Sequence, residues 1–101
     1  MEVEFEAELW RWPGNAAWHF VSLPKDAADD IRDRVGGSAR GFGSVRVDVE
    51  VGETHWATSL FPDSRSGTYV LPMKKAVRER EGLGVGDTVA VRLVLDARLR
   101  D

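Results

Sequence analysis

Three groups of residues in this 101-residue chain have types and spacings that can do chemistry. Lys74, Lys75, Arg78 and Arg80 form its basic cluster. On a helix, Lys74 and Arg78 stand i,i+4, where like charges cost roughly 0.2–0.5 kcal/mol. An anion held between them would offset that cost, and Arg40, in the glycine-rich loop Ser38 to Gly43, is placed to join them. The competing account pairs Lys75 with Glu79 and Arg78 with Glu81, which leaves an ordinary solvated helix face. The second group is histidine. His19 and His55 are the two in the chain, and a His55–Glu50 pair across two strands would orient the imidazole for general-base work or supply half a metal site. A surface cross-strand pair is the commoner use of that arrangement. The third group is aromatic. Trp10, Trp12, Trp18 and Trp56 are many tryptophans for this length, and with Tyr69 they either fill a small core or wall a pocket.

Other chemistry lacks its signature. No G-x-S-x-G surrounds a serine, so Ser59, opposite Arg46, reads as a hydrogen-bonding residue. No phosphate-binding G-x-x-x-x-G-K-[ST] is present, nor H-x-H or H-E-x-x-H, so neither a cofactor nor a metal is expected. The chain has no cysteine, hence no disulfide framework, thiolate zinc site or cysteine nucleophile. Asp87 follows Gly86 in a tight turn, where its carboxylate is expected to accept backbone N–H groups.

The elements that must position these residues follow from periodicity. Glu2 to Trp10 alternates Val3, Phe5, Ala7 and Leu9 with Glu2, Glu4, Glu6 and Glu8, a strand with one buried and one acidic face. Ala16 to Leu23 reads as a second, central strand, apolar on both faces. Pro24 opens a helix over Lys25 to Val35, with Ala27, Ala28, Ile31 and Val35 inward, and Gly36-Gly37 stops it. Ser44 to Val51 alternates again, and Gly52-Glu53 makes a two-residue hairpin turn with glycine first. That turn pairs Val51 with Thr54, Val49 with Trp56, Val47 with Thr58 and Val45 with Leu60 on the inner face. Glu50–His55, Asp48–Ala57 and Arg46–Ser59 pair on the outer one. Pro62 to Gly67 reads as a loop, and Thr68 to Leu71 as a short strand. A helix follows with Pro72 in its first turn, ended by Gly82 with Leu83 folding back. Thr88 to Asp96 is the last strand. The order β-β-α-β-β-β-α-β, mainly β with two short helices, predicts one small β-barrel over residues 1–97 with a frayed tail at 98–101.

Taken in order, WHFVSLP, RGFGSVRVDVEVGETHWATSL, GTYVLPMKKAVREREGLGVGD and VAVRLVLD resemble the bacterial domain-of-unknown-function family 1905, over Val3 to Asp96. The resemblance implies a barrel of the double-split type, akin to the AbrB/MazE group of regulators and antitoxins. The stretch LPMKKAVREREGLGVGDTV is similar to that group's LPK-x-x-R-x-x-LG-x-x-x-GD-x-V signature. Those proteins are swapped dimers of about half this length with a basic DNA-binding face, whereas this chain supplies a whole barrel and has a net charge of −3. The resemblance brings no reaction, cofactor or substrate.

The expected function is a binding module for a small anionic organic ligand or a peptide, held by Trp18, Trp56, Tyr69, Arg40, Lys74 and Arg78. An enzyme using the same pocket and an AbrB-like DNA-binding regulator are the rivals. No apolar run approaches the ~20 residues of a membrane span, and the acidic, alternating MEVEFEAELW is unlike a signal peptide, so a cytoplasmic monomer or homodimer is expected. Because non-specific nucleic-acid affinity comes from neutralised phosphates, duplex DNA should bind weakly at about 150 mM salt. Fluorescence anisotropy with a random duplex checks this; submicromolar affinity with a steep salt slope would reverse it.

Overall fold

Two long alternating strands set the architecture. The computed structural model describes residues 1–36 and 43–95, so Arg40 and the tail at 98–101 lie outside the described residues. The elements are β1 (Glu2–Arg11), β2 (His19–Ser22), α1 (Lys25–Val35), β3 (Val45–Val51), β4 (Thr54–Asp63), β5 (Thr68–Pro72), α2 (Lys75–Glu81) and β6 (Thr88–Leu95). The strands close in the order β1-β2-β5-β4-β3-β6, with every pairing antiparallel. β1 pairs with β6 from Glu2 to Glu8, then with β2 from Leu9 to Arg11. β4 likewise pairs with β3 from Thr54 to Leu60 and with β5 from Phe61 to Asp63. One sheet is therefore β1-β6-β3-β4, the other β1-β2-β5-β4, and the two ten-residue strands belong to both.

The inner faces fill the barrel. Leu9, Leu60, Leu71, Met73, Leu93 and Val45 are fully buried, joined by Ile31 from α1 and Val77 from α2. The β3–β4 register is the one that the Gly52-Glu53 turn predicts, from Val51 opposite Thr54 to Val45 opposite Leu60. Gly52 has φ 58°, while among the described residues no non-glycine residue has positive φ, the backbone of a glycine-first hairpin turn. α1 has the predicted bounds and buries Ala27, Ala28, Ile31 and Val35. At the end of α2, Gly82 is left-handed, Leu83 N–H bonds Arg78 O (2.8 Å) and Gly82 N–H bonds Glu79 O (3.3 Å). This doubled C-terminal closure lets Leu83 pack against the core.

Four expectations are corrected. Pro72 does not open α2. It ends β5 opposite Phe20, and Met73 N–H extends the ladder to His19 O at 2.8 Å, so the helix starts three residues later. A proline whose missing donor sits on the unpaired side of a strand costs no ladder bond. Second, β4 runs on through Pro62 to Asp63 where a loop was predicted, because Phe61 to Asp63 find Val70 to Thr68 of β5. Third, residues 16–18 are not strand. Trp18 N–H bonds Asn15 O and the Asn15 side chain accepts from Ala17 N–H, folding the segment into a turn. Fourth, the tryptophans do not fill the core. Trp10 follows Glu2, Glu4, Glu6 and Glu8 on the outer face of β1, Trp12 stands just past the strand's end, Trp18 is exposed, and Trp56 is half-buried against the core.

The Glu81 carboxylate ties α2 to the β3–β4 turn by accepting from Thr54 Oγ (2.6 Å) and Glu53 N–H (3.3 Å), in place of the predicted pairing with Arg78. A Cβ on Gly52 would run into that carboxylate. Gly52→Ala should therefore add about 1–2 kcal/mol of left-handed backbone cost to the loss of the buried Thr54 hydroxyl's partner, about 1–3 kcal/mol. Urea denaturation should show the substitution costing less in a Glu81→Ala background, where the carboxylate is absent; strict additivity would refute this coupling.

Candidate functional site

The barrel's outside carries two unlike surfaces, and strand alternation assigns them. On the β1-β6-β3-β4 sheet the outer residues are Glu2, Glu4, Glu6 and Glu8, Arg92, Asp48, Glu50 and His55. Arg92 spans this face, bonding Glu50 Oε1 at 3.0 Å and Glu2 Oε2, while Glu50 Oε2 lies 3.4 Å from His55 Nε2. The predicted His55–Glu50 pair forms, but the carboxylate is shared with Arg92 and His55 stands open to solvent. Trp56 borders the shallow depression over this network, about 330 Å³. No group of three metal-ligating side chains occurs among the described residues.

The other sheet's outer face is apolar. Trp10 lies opposite Phe20, Phe20 opposite Pro72, and Phe61 opposite Val70. Trp10 stacks obliquely on Phe20 (5.2 Å between centroids) and donates its indole N–H to Ser22 Oγ at 3.0 Å. Trp12 lies 6.2 Å from Trp10 and 6.5 Å from Trp18, with the Arg65 guanidinium 4.4 Å from a Trp12 ring centroid. Beside this aromatic row is a concavity of about 450 Å³, bordered by Trp18, Phe20, Phe61, Val70, Pro72 and Lys74. Trp18 is 53% exposed and Phe61 46%, unusual for such large apolar side chains. His19 also borders it, and its Nδ1 is buried without a hydrogen-bond partner among the described residues. Among the described residues no carboxylate borders it.

The structure thus brings together Trp18 and Lys74 of the predicted ligand residues. Trp56, opposite Val49 and packed against the core, borders the depression on the charged side instead. Tyr69 is 4% exposed, with the Arg32 guanidinium 5.4 Å from its ring centroid. Arg78 donates its Nε–H to Met73 O at 3.0 Å, and Arg40 is not described. Lys74 is not in the helix: it precedes α2 with an extended ψ of 159°, so the assumed helical spacing to Arg78 does not hold. Phe20, Phe61, Val70 and Pro72 escaped sequence reasoning. For Phe61 a signal existed, since it shares the outward parity of His55, Ala57 and Ser59. Asp87 takes its expected structural role, accepting Gly84 N–H at 2.8 Å.

The family model described as Domain of unknown function (DUF1905) matches residues 5–93. The chain belongs to that family. No curated protein matches its sequence.

On the charged face, the hydrogen bond from Arg92, and then its charge, hold the Glu2 carboxyl below the usual carboxylate range. A carboxyl lowered in the folded state stabilises above its unfolded pKa, and the benefit is lost as pH falls through the folded value. An NMR titration of the Glu2 carboxyl carbon should therefore show a low midpoint that rises in Arg92→Gln. The stability gap between wild type and variant should narrow on acidification; an unmoved midpoint would break the assignment.

Proposed function

We propose that this protein is a cytoplasmic binding module that takes a small organic molecule into the concavity on the outer face of β2, β5 and β4. One observation carries the reading: two large, exposed aromatic side chains, Trp18 and Phe61, stand on either side of an apolar floor of Val70 and Pro72. Val70 is paired with Ser22 on one side and Phe61 on the other, and Pro72 with Phe20, so the floor is held by the sheet and the site is largely preformed, as ligand sites usually are. Burying a ring-sized group of about 150 Å² there is worth roughly 4 kcal/mol, near-millimolar affinity at best. A useful ligand must add polar contact to that.

The enzyme reading has less to stand on. His55 and Glu50 lie 3.4 Å apart but on an open face, and Glu50 also serves Arg92. The regulator reading needs free cations near α2. There Lys75 pairs with Glu79 at 3.9 Å and Arg78 is engaged with Met73 O, which among the described residues leaves Lys74 and Arg80 as the unpaired cations of that segment, few for neutralising a run of phosphates. Cytoplasmic placement is part of the proposal: a chain without cysteine needs no oxidising compartment to fold, and among the described residues no helix is long and apolar enough to cross a membrane.

The neutral fluorophore N-phenyl-1-naphthylamine tests the site. Its emission should rise on binding, fall back in Trp18→Ala and in Phe61→Ala, and persist in Trp56→Phe. Both alanine variants should stay folded and lose no more than about 1–1.5 kcal/mol, because about half of each removed side chain is exposed. Full enhancement in both would place binding elsewhere.

A further inference from the structure

We infer that the concavity is selective for a ring-bearing organic monoanion, an aromatic carboxylate in chemical class, with Lys74 as the residue that selects the charge. The inference rests on the site proposed above and adds the identity of what enters it.

Width argues for a ring. Neighbouring strands lie about 4.8 Å apart, so β2 and β4 stand about 10 Å apart across β5. A flat ring between side chains rising from those strands makes two contacts of about 3.5–4 Å. A second stacked ring would need three, which exceeds the available width. The strand order places Phe20 on one side of this slot and Phe61 on the other, with Pro72 and Val70 of β5 between them.

Charge argues for one negative group. Among the described residues Lys74 is the one Lys or Arg bordering the concavity, no carboxylate does so, and Lys74 forms no ion pair. This is the reverse of the β1-β6 side, where Glu2, Glu4, Glu6 and Glu8 line up. An apolar surface with one uncommitted ammonium complements an apolar body with one carboxylate, and the charge-assisted bond supplies what ring burial alone lacks.

Two other occupants fit less well. An extended peptide would add as a strand only at an open edge, and β2 and β5 each have partners on both sides. A second copy laid face to face by a two-fold axis would bring the same cation into the interface twice.

Titration calorimetry and amide chemical-shift mapping on the full chain, with 2-naphthoate, 2-naphthalenemethanol, octanoate and 2,6-naphthalenedicarboxylate, decide the matter. 2-Naphthoate should shift the amides of Trp18, Phe20, Phe61 and Val70 and bind tightest of the four. Lys74→Gln should weaken it by about ten-fold and leave the alcohol unchanged. If the alcohol or octanoate binds as tightly as 2-naphthoate at those amides, or if Lys74→Gln changes nothing, the ligand class is wrong while the site stands. If the dicarboxylate binds tightest, the single-charge rule fails. If none of the four shifts those amides, both the class and the site are overturned. A 2-naphthoyl group presented by a peptide and binding tighter than the free acid would overturn the small-molecule occupant in favour of a polypeptide.

Discussion

The hand-over of β1 from β6 to β2 at Leu9 is the constraint on which the rest of the structure depends. Leu9 is fully buried, its N–H bonds Asp87 O and its carbonyl accepts from Gly86 N–H, both at 2.9 Å. One residue thus ends the β6 ladder while its Cα faces Val21 of β2. Gly86, at φ 95°, makes that contact from a turn which the Asp87 side chain closes on Gly84. With a matching hand-over in β4, the sheet has no open end, which removes the edge liability that six strands would otherwise carry. Closure also decides what can be a site. Among the described residues the interior is filled mainly by aliphatic side chains, and the concavities that could take a ligand open on the outer surface.

That outer surface divides along the same line. Before Leu9 the outward residues of β1 are glutamates; after it comes Trp10, with Trp12 just past the strand's end. The glutamates lie over the β6 side, where Arg92 gathers Glu2 and Glu50. The tryptophans lie over β2, where Phe20 and Ser22 receive Trp10. A single strand therefore separates a solvated, mainly acidic face from an apolar one. The two helices leave the apolar face open: α1 buries its apolar stripe with Tyr69 close by, and the carboxylate at the end of α2 is drawn to the β3–β4 turn.

Much of this was legible locally. The bounds and buried face of α1, the full β3–β4 register, the left-handed Gly82 and the Asp87 turn each follow from a few adjacent residues. All are the outcome of one short-range rule: a proline start, a glycine-first turn, a glycine stop. What was not legible depends on partners distant in sequence. Pro72 is in a strand because Phe20 is opposite it, and Pro62 because Tyr69 is. Both positions, read locally, favour a helix start and a loop. The tryptophans misled for a different reason: bulk and hydrophobicity suggest burial, while the parity of β1 places Trp10 among the glutamates.

The candidate site was half legible for a related reason. Trp18 and Lys74 were identified by type, as an aromatic and a cation, and they do border one concavity. The partners assigned to them were those nearest in the imagined helix or barrel mouth. Lys74 was joined to Arg78 by helical spacing, but the helix begins after Lys74, and Arg78 turns its guanidinium back to Met73 O. The partners that the fold supplies, Phe20 and Phe61, are 41 residues apart in the chain and meet only because β5 lies between β2 and β4. A site built across three strands with two long-range pairings leaves no spacing motif. Its trace in sequence is instead an apolar residue at an outward parity position, such as Phe61 after His55, Ala57 and Ser59. In a strand whose other outward residues are polar or small, a large exposed aromatic adds nothing to the core, and a surface partner is the remaining use for it.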